Sequence, residues 1–307
     1  MTDPFSMTRR DALAAMSALG VAGLGPASVL AQDTMPQRPV PTTGEMLPVV
    51  GLGSSKVVSE VSENGTGPVA AVLRALTAAG GGVVDSWPRD PVDDAGFGEV
   101  INMPDLRDEL FVTTKIDSTG KQAGIDQFRQ TQELYQRETI DLVQIFSLTD
   151  LETQWPNLKD WREEGSARYI GVTVSEFGRY DQLIEFLGRE TPDFVQMNYS
   201  ITERLAEERL LPMAADMGLA VLLNRPFMNG AYFGRLEGVP LPEWTSEFDC
   251  TSWAQFSLKY ILAHPTVTCV FTETSNPAHM TENAHAAYGA MPDENHRQLM
   301  REYIDQV

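Results

Sequence analysis

Four carboxylates, Asp85, Asp90, Asp93 and Asp94, stand close together in a chain whose other chemistry-bearing residues are sparse. Clustered carboxylates suit hard cations such as calcium, but this spacing matches no standard calcium loop and reads more simply as an acidic rim facing water. All four histidines, His264, His279, His285 and His296, fall in the last fifth of the chain, and Cys250 and Cys269 are the only cysteines. No clustered His/Cys set suited to a metal occurs. Cys269 falls inside an apolar run, so two buried thiols are expected rather than a disulfide. Gly51-Leu52-Gly53 begins like a dinucleotide-binding turn but lacks the third glycine and a helix at the right distance, which leaves a tight turn. No tyrosine lies between Met1 and Leu134.

Such residues do chemistry only where a fold brings them together. From Leu47 onward, eight short β-rich runs alternate with longer amphipathic stretches: residues 48–52, 82–85, 111–115, 141–146, 169–173, 194–197, 219–223 and 267–271. Stretches such as 69–79, 125–137, 180–189, 206–217 and 253–263 carry apolar residues at helical spacing. Pro68 stands where a first helical turn begins, and Gly80-Gly81-Gly82 ends that helix. Strands alternating with helices imply a parallel sheet, and eight is the number that closes into a single-domain (β/α)8 barrel, with a doubly wound open sheet as the alternative. A barrel keeps its chemistry at the C-terminal ends of its strands. Residues 228–249, with Gly230, Gly234, Gly238, Pro240 and Pro242, are too long for a plain connection and are expected to cap the mouth after the seventh strand.

The 307 residues are 42% hydrophobic and 21% charged, enough apolar side chain for one sizeable core. With 23 Lys and Arg against 43 Asp and Glu, the net charge of −20 repels phosphate backbones and argues against nucleic acid as a partner. The amino terminus reads differently: a polar start, Arg9-Arg10, then a weakly apolar run from Ala12 to Ala31. That is a signal-peptide layout. Thr8-Arg9-Arg10-Asp11-Ala12-Leu13 resembles the twin-arginine export motif, and Val29-Leu30-Ala31 supplies small residues for cleavage after Ala31. Gly20, Gly23, Gly25 and Pro26 interrupt the run and argue against a stable membrane span. The expected organisation is a signal peptide over 1–31 and one barrel over 32–307, in a periplasmic protein.

At the strand ends stand Leu47-Pro48-Val49-Val50-Gly51-Leu52-Gly53, Val83-Val84-Asp85-Ser86, Phe111-Val112-Thr113-Thr114-Lys115, Asp141-Leu142-Val143-Gln144-Ile145, Arg168-Tyr169-Ile170-Gly171-Val172, Val195-Gln196-Met197-Asn198-Tyr199-Ser200 and Thr274-Ser275-Asn276-Pro277. In this order and spacing they resemble the aldo/keto reductases, and the resemblance runs from Pro39 to the carboxyl terminus. That family reduces carbonyls with hydride from NADPH, using a tetrad of Asp, Tyr, Lys and His. The resemblance implies Asp85 as the Asp and Lys115 as the Lys, a pair in which the carboxylate keeps the ammonium charged and the ammonium lowers the pKa of the tyrosine. The same two residues would also serve as a structural ion pair at the rim. The tyrosine position falls on Asp90 and the histidine position on Phe146. An acid lowered by Lys115 makes a poor proton donor, and a phenyl ring can only exclude water.

On the cofactor side, the resemblance implies Gln196 as the residue that holds the nicotinamide amide and Thr173 as its neighbour, with Val174 where Asn or His is common. Asn224-Arg225-Pro226 ends the seventh strand, where the family often places a stacking ring; Arg225 offers a planar face or a phosphate contact. Thr274, Ser275 and Asn276 are the expected phosphate donors near a helix start, and Asn283 completes the set. Glu273, at a position often Gly or Lys, is expected to repel an adenosine 2′-phosphate. NAD(P) is the cofactor so implied. Two functions remain open: a barrel with lost or altered carbonyl reduction that binds a small-molecule ligand or a protein partner at its mouth, or an NAD(P)-dependent oxidoreductase with a tightly held nucleotide and a non-standard proton donor.

Overall fold

The structure, a computed structural model, describes residues 34–53 and 56–307; the export motif and cleavage site expected over 1–31 lie outside the described residues. A short antiparallel hairpin, β1 (Gln37–Pro39) and β2 (Met46–Pro48), precedes eight barrel strands: β3 (Val50–Leu52), β4 (Val83–Val84), β5 (Phe111–Ile116), β6 (Ile140–Ile145), β7 (Ala167–Thr173), β8 (Phe194–Asn198), β9 (Ala220–Asn224) and β10 (Val267–Thr272). Neighbouring barrel strands are parallel, and β10 returns to pair with β3, Val270 opposite Val50, so that the sheet closes. All eight stand where the sequence placed them. Residues 48–52, expected as one strand, divide at Val49 between the hairpin and the barrel.

The helices are α1 (Lys56–Ser59), α2 (Val61–Asn64), α3 (Gly67–Ala78), α4 (Pro91–Ile101), α5 (Lys121–Tyr135), α6 (Leu151–Glu164), α7 (Tyr180–Leu187), α8 (Leu210–Met217), α9 (Ala231–Arg235), α10 (Trp253–Leu262), α11 (Pro277–His285) and α12 (Glu294–Ile304). Alternate strand residues face opposite sides of the barrel wall, which gives two apolar cores. Phe111, Leu142, Tyr169, Phe194, Leu222 and Phe271 fill the interior together with Val40 and Leu47 from the hairpin. The hairpin therefore plugs the N-terminal end, where Tyr169 Oη lies 2.6 Å from both Thr43 Oγ1 and Glu45 Oε2. Outward residues such as Val112, Val143, Ile170 and Val195 pack under the helices. Each large apolar side chain so buried stabilises the fold by about 1.5–3 kcal/mol. On α4, a Cβ at Gly98 would lie 2.0 Å from the Leu134 carbonyl oxygen, so only glycine lets α4 and α5 meet backbone to backbone.

The connection after β9 does not form a lid along its whole length. Its first part, through Asn229, Gly230 and Phe233, borders the mouth. From Leu236 on, it folds down the side of the barrel: Val239 accepts from Trp253 Nε1 at 2.9 Å, and Trp244 packs on Phe256 and Tyr303. Its apolar residues find more surface to bury against α10 and α12 than over an open mouth. Cys250 and Cys269 are buried free thiols. Among the described residues, no helix is long and apolar enough to cross a membrane, and no group of three or more His, Cys, Asp or Glu is placed to hold a metal.

Candidate active site

The plug leaves one end of the barrel open, and the ends of the strands converge there on a cavity of about 340 Å³. Asp85 reaches it from the end of β4, Lys115 from β5, Phe146 from the end of β6, Thr173 from β7, Gln196 from β8, Asn224 from β9 and Glu273 from beyond β10. Lys115 Nζ lies 2.5 Å from Asp85 Oδ1 and donates to the Ser86 carbonyl at 3.0 Å. Thr113 Oγ1 donates to Asp85 Oδ1 at 2.7 Å and Gln196 Nε2 to Asp85 Oδ2 at 3.1 Å. The carboxylate is thus held by three donors, one of them charged. Burial lowers the Lys115 pKa, and the Asp85 carboxylate pulls it back up.

Beside this ion pair the cavity is aromatic. The Phe146 and Trp87 rings meet edge to face at 5.6 Å, and the Arg89 guanidinium lies 5.3 Å from the centre of the Trp87 ring. Arg89 is fixed by hydrogen bonds to Ser59 Oγ at 2.6 Å and Ser86 Oγ at 2.8 Å. Trp87 is therefore a held element of the wall. Four further polar atoms carry unspent capacity: Gln196 Oε1, Asn224 Oδ1 and both amide atoms of Gln144 are buried without a hydrogen-bond partner among the described residues. Arg225, whose backbone adopts the left-handed region at φ 58°, donates from Nη1 to the Ser175 carbonyl at 2.9 Å. Glu273 borders the cavity, and the concave surroundings, with Asp85 near, push its carboxyl up.

Most of the residues singled out from the sequence come together here: Asp85, Lys115, Phe146, Thr173, Gln196, Asn224 and Arg225. Asp90 does not. It is exposed, caps α4 through a 2.9 Å bond accepted from the Val92 amide, and is absent from the cavity lining, where its loop presents Trp87 instead. The reason is local: Asp-Pro followed by Asp93 and Asp94 is a helix start, and capping claims the carboxylate. Asp93 and Asp94 are spent in the same neighbourhood, on the Ser62 and Arg89 amides. The first tyrosine of the chain, Tyr135, is buried on α5 with its hydroxyl 3.0 Å from Ser86 Oγ, and burial pushes its pKa up. It does not line the cavity.

Thr274 and Asn283 line an outer cavity of about 440 Å³ with Glu273, His279, Glu282, Phe233 and Trp253. Asn276 caps α11 by accepting from the Ala278 amide at 2.9 Å, and Ser275 is exposed. The outer cavity was not anticipated from the sequence, because its wall comes from the segment after β10, from α9, α10 and α11 and from the loop before α9, which no single motif spans.

The sequence profile of the aldo/keto reductase family matches residues 85–302. The chain belongs to that family. Among solved structures, its fold is similar to an aldo-keto reductase from Bacillus halodurans in its holo form, with 20% identity, a TM-score of 0.72, and 88% of this chain and 96% of that one covered. It is also similar to an aldo/keto reductase from Klebsiella pneumoniae in complex with NADP and acetate, with 20% identity, a TM-score of 0.72 and coverage of 85% and 93%. A Klebsiella pneumoniae aldo-keto reductase in complex with NADPH gives 22% identity, a TM-score of 0.71 and coverage of 85% and 93%. No curated protein matches the sequence. Within this aldo/keto reductase barrel, Asp85 and Lys115 stand in contact, and no tyrosine or histidine is among the described residues that line the cavity above them.

Proposed function

We propose that this family member binds a nicotinamide nucleotide at its mouth and no longer reduces simple carbonyls. One observation carries the second half: among the described residues, the cavity lining offers Trp87 and Phe146 beside the Asp85–Lys115 pair, and no tyrosine or histidine. Carbonyl reduction needs a proton as well as a hydride. A positioned acid contributes about 10² to 10⁴ in rate. Nucleotide binding is supported by the acceptors left over. A carboxamide brings N–H donors, and Gln196 Oε1 and Asn224 Oδ1 are buried acceptors at the cavity without partners. The Klebsiella pneumoniae relatives are complexes with NADP and NADPH. Bound there, a nicotinamide nucleotide would supply or accept hydride; Gln196 and Asn224 would orient it, and Phe146 and Trp87 would keep water from it.

A second reading, an oxidoreductase with a replaced acid, is favoured by Glu273. Its carboxyl borders the cavity, and its concave surroundings and Asp85 push its pKa up, the direction that suits a carboxyl to proton donation. One assay separates the readings: the folded protein, with NADH or NADPH and simple aldehydes, should give turnover no different from a protein-free control. Turnover that disappears in Lys115→Met overturns the first reading, and turnover that also disappears in Glu273→Gln establishes the second.

A further inference from the structure

The mouth holds three joined cavities, and their linings differ in charge. Resting on the nucleotide reading above, we propose that this barrel selects NAD(H) and excludes NADP(H), because the outer cavity has no seat for a 2′-phosphate. The central cavity shares Arg225, Asn229 and Glu273 with a middle one of about 360 Å³. The middle cavity shares Phe227, Phe233 and Glu273 with the outer one. A dinucleotide whose carboxamide meets Gln196 and Asn224 therefore lays its diphosphate in the middle cavity, where Lys56 and Arg225 supply cations. Its adenosine reaches the outer cavity, where Phe227, Phe233 and Trp253 offer aromatic surface.

A phosphate on that adenosine would add a charge of about −1.5 to −2. Glu282 and Glu273 face it, and no Lys or Arg is among the described residues that line the outer cavity. The start of α11 gives little relief, since most of its first-turn donors are spent within the chain and the His279 amide alone is left over among the described residues. Pro277 has no N–H, the Ala278 amide is taken by Asn276 Oδ1 at 2.9 Å, and the Met280 amide by the Asn276 carbonyl at 3.0 Å. The Asn276 amide goes to Thr274 Oγ1 at 3.1 Å. A helix whose first amides are so occupied has lost most of what draws anions to it. A ribose with free hydroxyls is a different guest, because a 2′-OH donates to a carboxylate such as that of Glu282, the arrangement by which other dinucleotide-binding folds choose NAD. The net charge of −20 adds a general bias against the more anionic nucleotide.

The test is calorimetric titration of the purified full chain with NADH and, separately, NADPH at the same salt concentration. NADH should bind at least about tenfold more tightly, and Glu282→Lys should tighten NADPH by about tenfold or more while leaving NADH no tighter than in the parent. Circular dichroism of the variant establishes that it is folded. Equal or tighter binding of NADPH by the parent overturns this inference and leaves the nucleotide reading standing. An equal gain for both nucleotides in Glu282→Lys overturns it too. Binding of neither nucleotide brings down the nucleotide reading itself.

Discussion

Removing the Asp85 carboxylate should cost more stability than other single changes at the mouth, and removing Lys115 with it should recover most of the loss. The two charged groups are 2.5 Å apart and their side chains only 3% and 4% exposed. At an effective dielectric of about 20, charges so placed attract by roughly 7 kcal/mol, much of which offsets their desolvation. In Asp85→Leu the desolvation of the ammonium stays while the attraction goes, leaving Lys115 with the Ser86 carbonyl. The expected loss is about 3–5 kcal/mol. In the double variant Asp85→Leu, Lys115→Met no buried charge remains, and the residual cost is the stranding of Thr113 Oγ1 and Gln196 Nε2, about 1 kcal/mol each. Urea midpoints with slopes compared across the set measure this. The pH dependence has a definite sign. Burial already holds Lys115 below the ordinary lysine value of 10.5, and Asp85 is the main group that raises it, with Glu273 a lesser one, so the single variant lowers it further. Between that folded value and 10.5 the unfolded chain binds the proton and the folded one does not, so Asp85→Leu should gain stability as pH rises through this window. The double variant should show no such gain. A double variant as unstable as the single one, or a single variant without alkaline recovery, refutes the coupling.

Because Trp87 rather than Asp90 faces the cavity, Trp87→Tyr with Phe146→His should bring a hydroxyl and an imidazole to the ion pair and raise aldehyde reduction by about 10². Asp90→Tyr with Phe146→His should stay at background in the same spectrophotometric assay, and the reverse ranking would mean that residue 90 reaches the mouth. Asp90→Ala should lower stability by about 1 kcal/mol through the lost α4 cap, with nucleotide affinity by calorimetry unchanged; a weakened affinity would place Asp90 at the ligand.

The barrel was legible because each strand is a compact apolar run between helix-start and helix-stop residues, and closure follows from there being eight. Asp85 and Lys115 were legible through the family resemblance, which points to the ends of such runs, where a barrel interior opens. Asp90 was misplaced because counting along the chain assumes that the loop follows one path, whereas Pro91 and the carboxylates after it start a helix and turn the Asp90 side chain back to its own backbone. The loop after β9 misled for a related reason. Its length suggested a lid, but Trp244 and Phe248 bury themselves against distant helices that no local pattern identifies. Glu273, expected beside an adenosine phosphate, borders the outer cavity and the two others as well, a position that depends on how β10 meets β3.

That meeting has a mechanical consequence. Pairing β10 with β3 joins parts of the chain about 220 residues apart, so the ring is a clasp that only a nearly complete polypeptide can fasten. Gly53, just past β3, and Glu273, just past β10, both border the central cavity. A ligand lying there would rest across the clasp and touch both of its halves. Springing the ring would require letting the ligand go, and each occupied moment would lengthen the life of the closed ring by mass action. Grip on the guest and integrity of the hoop would then be the same property, felt once from inside and once from the wall.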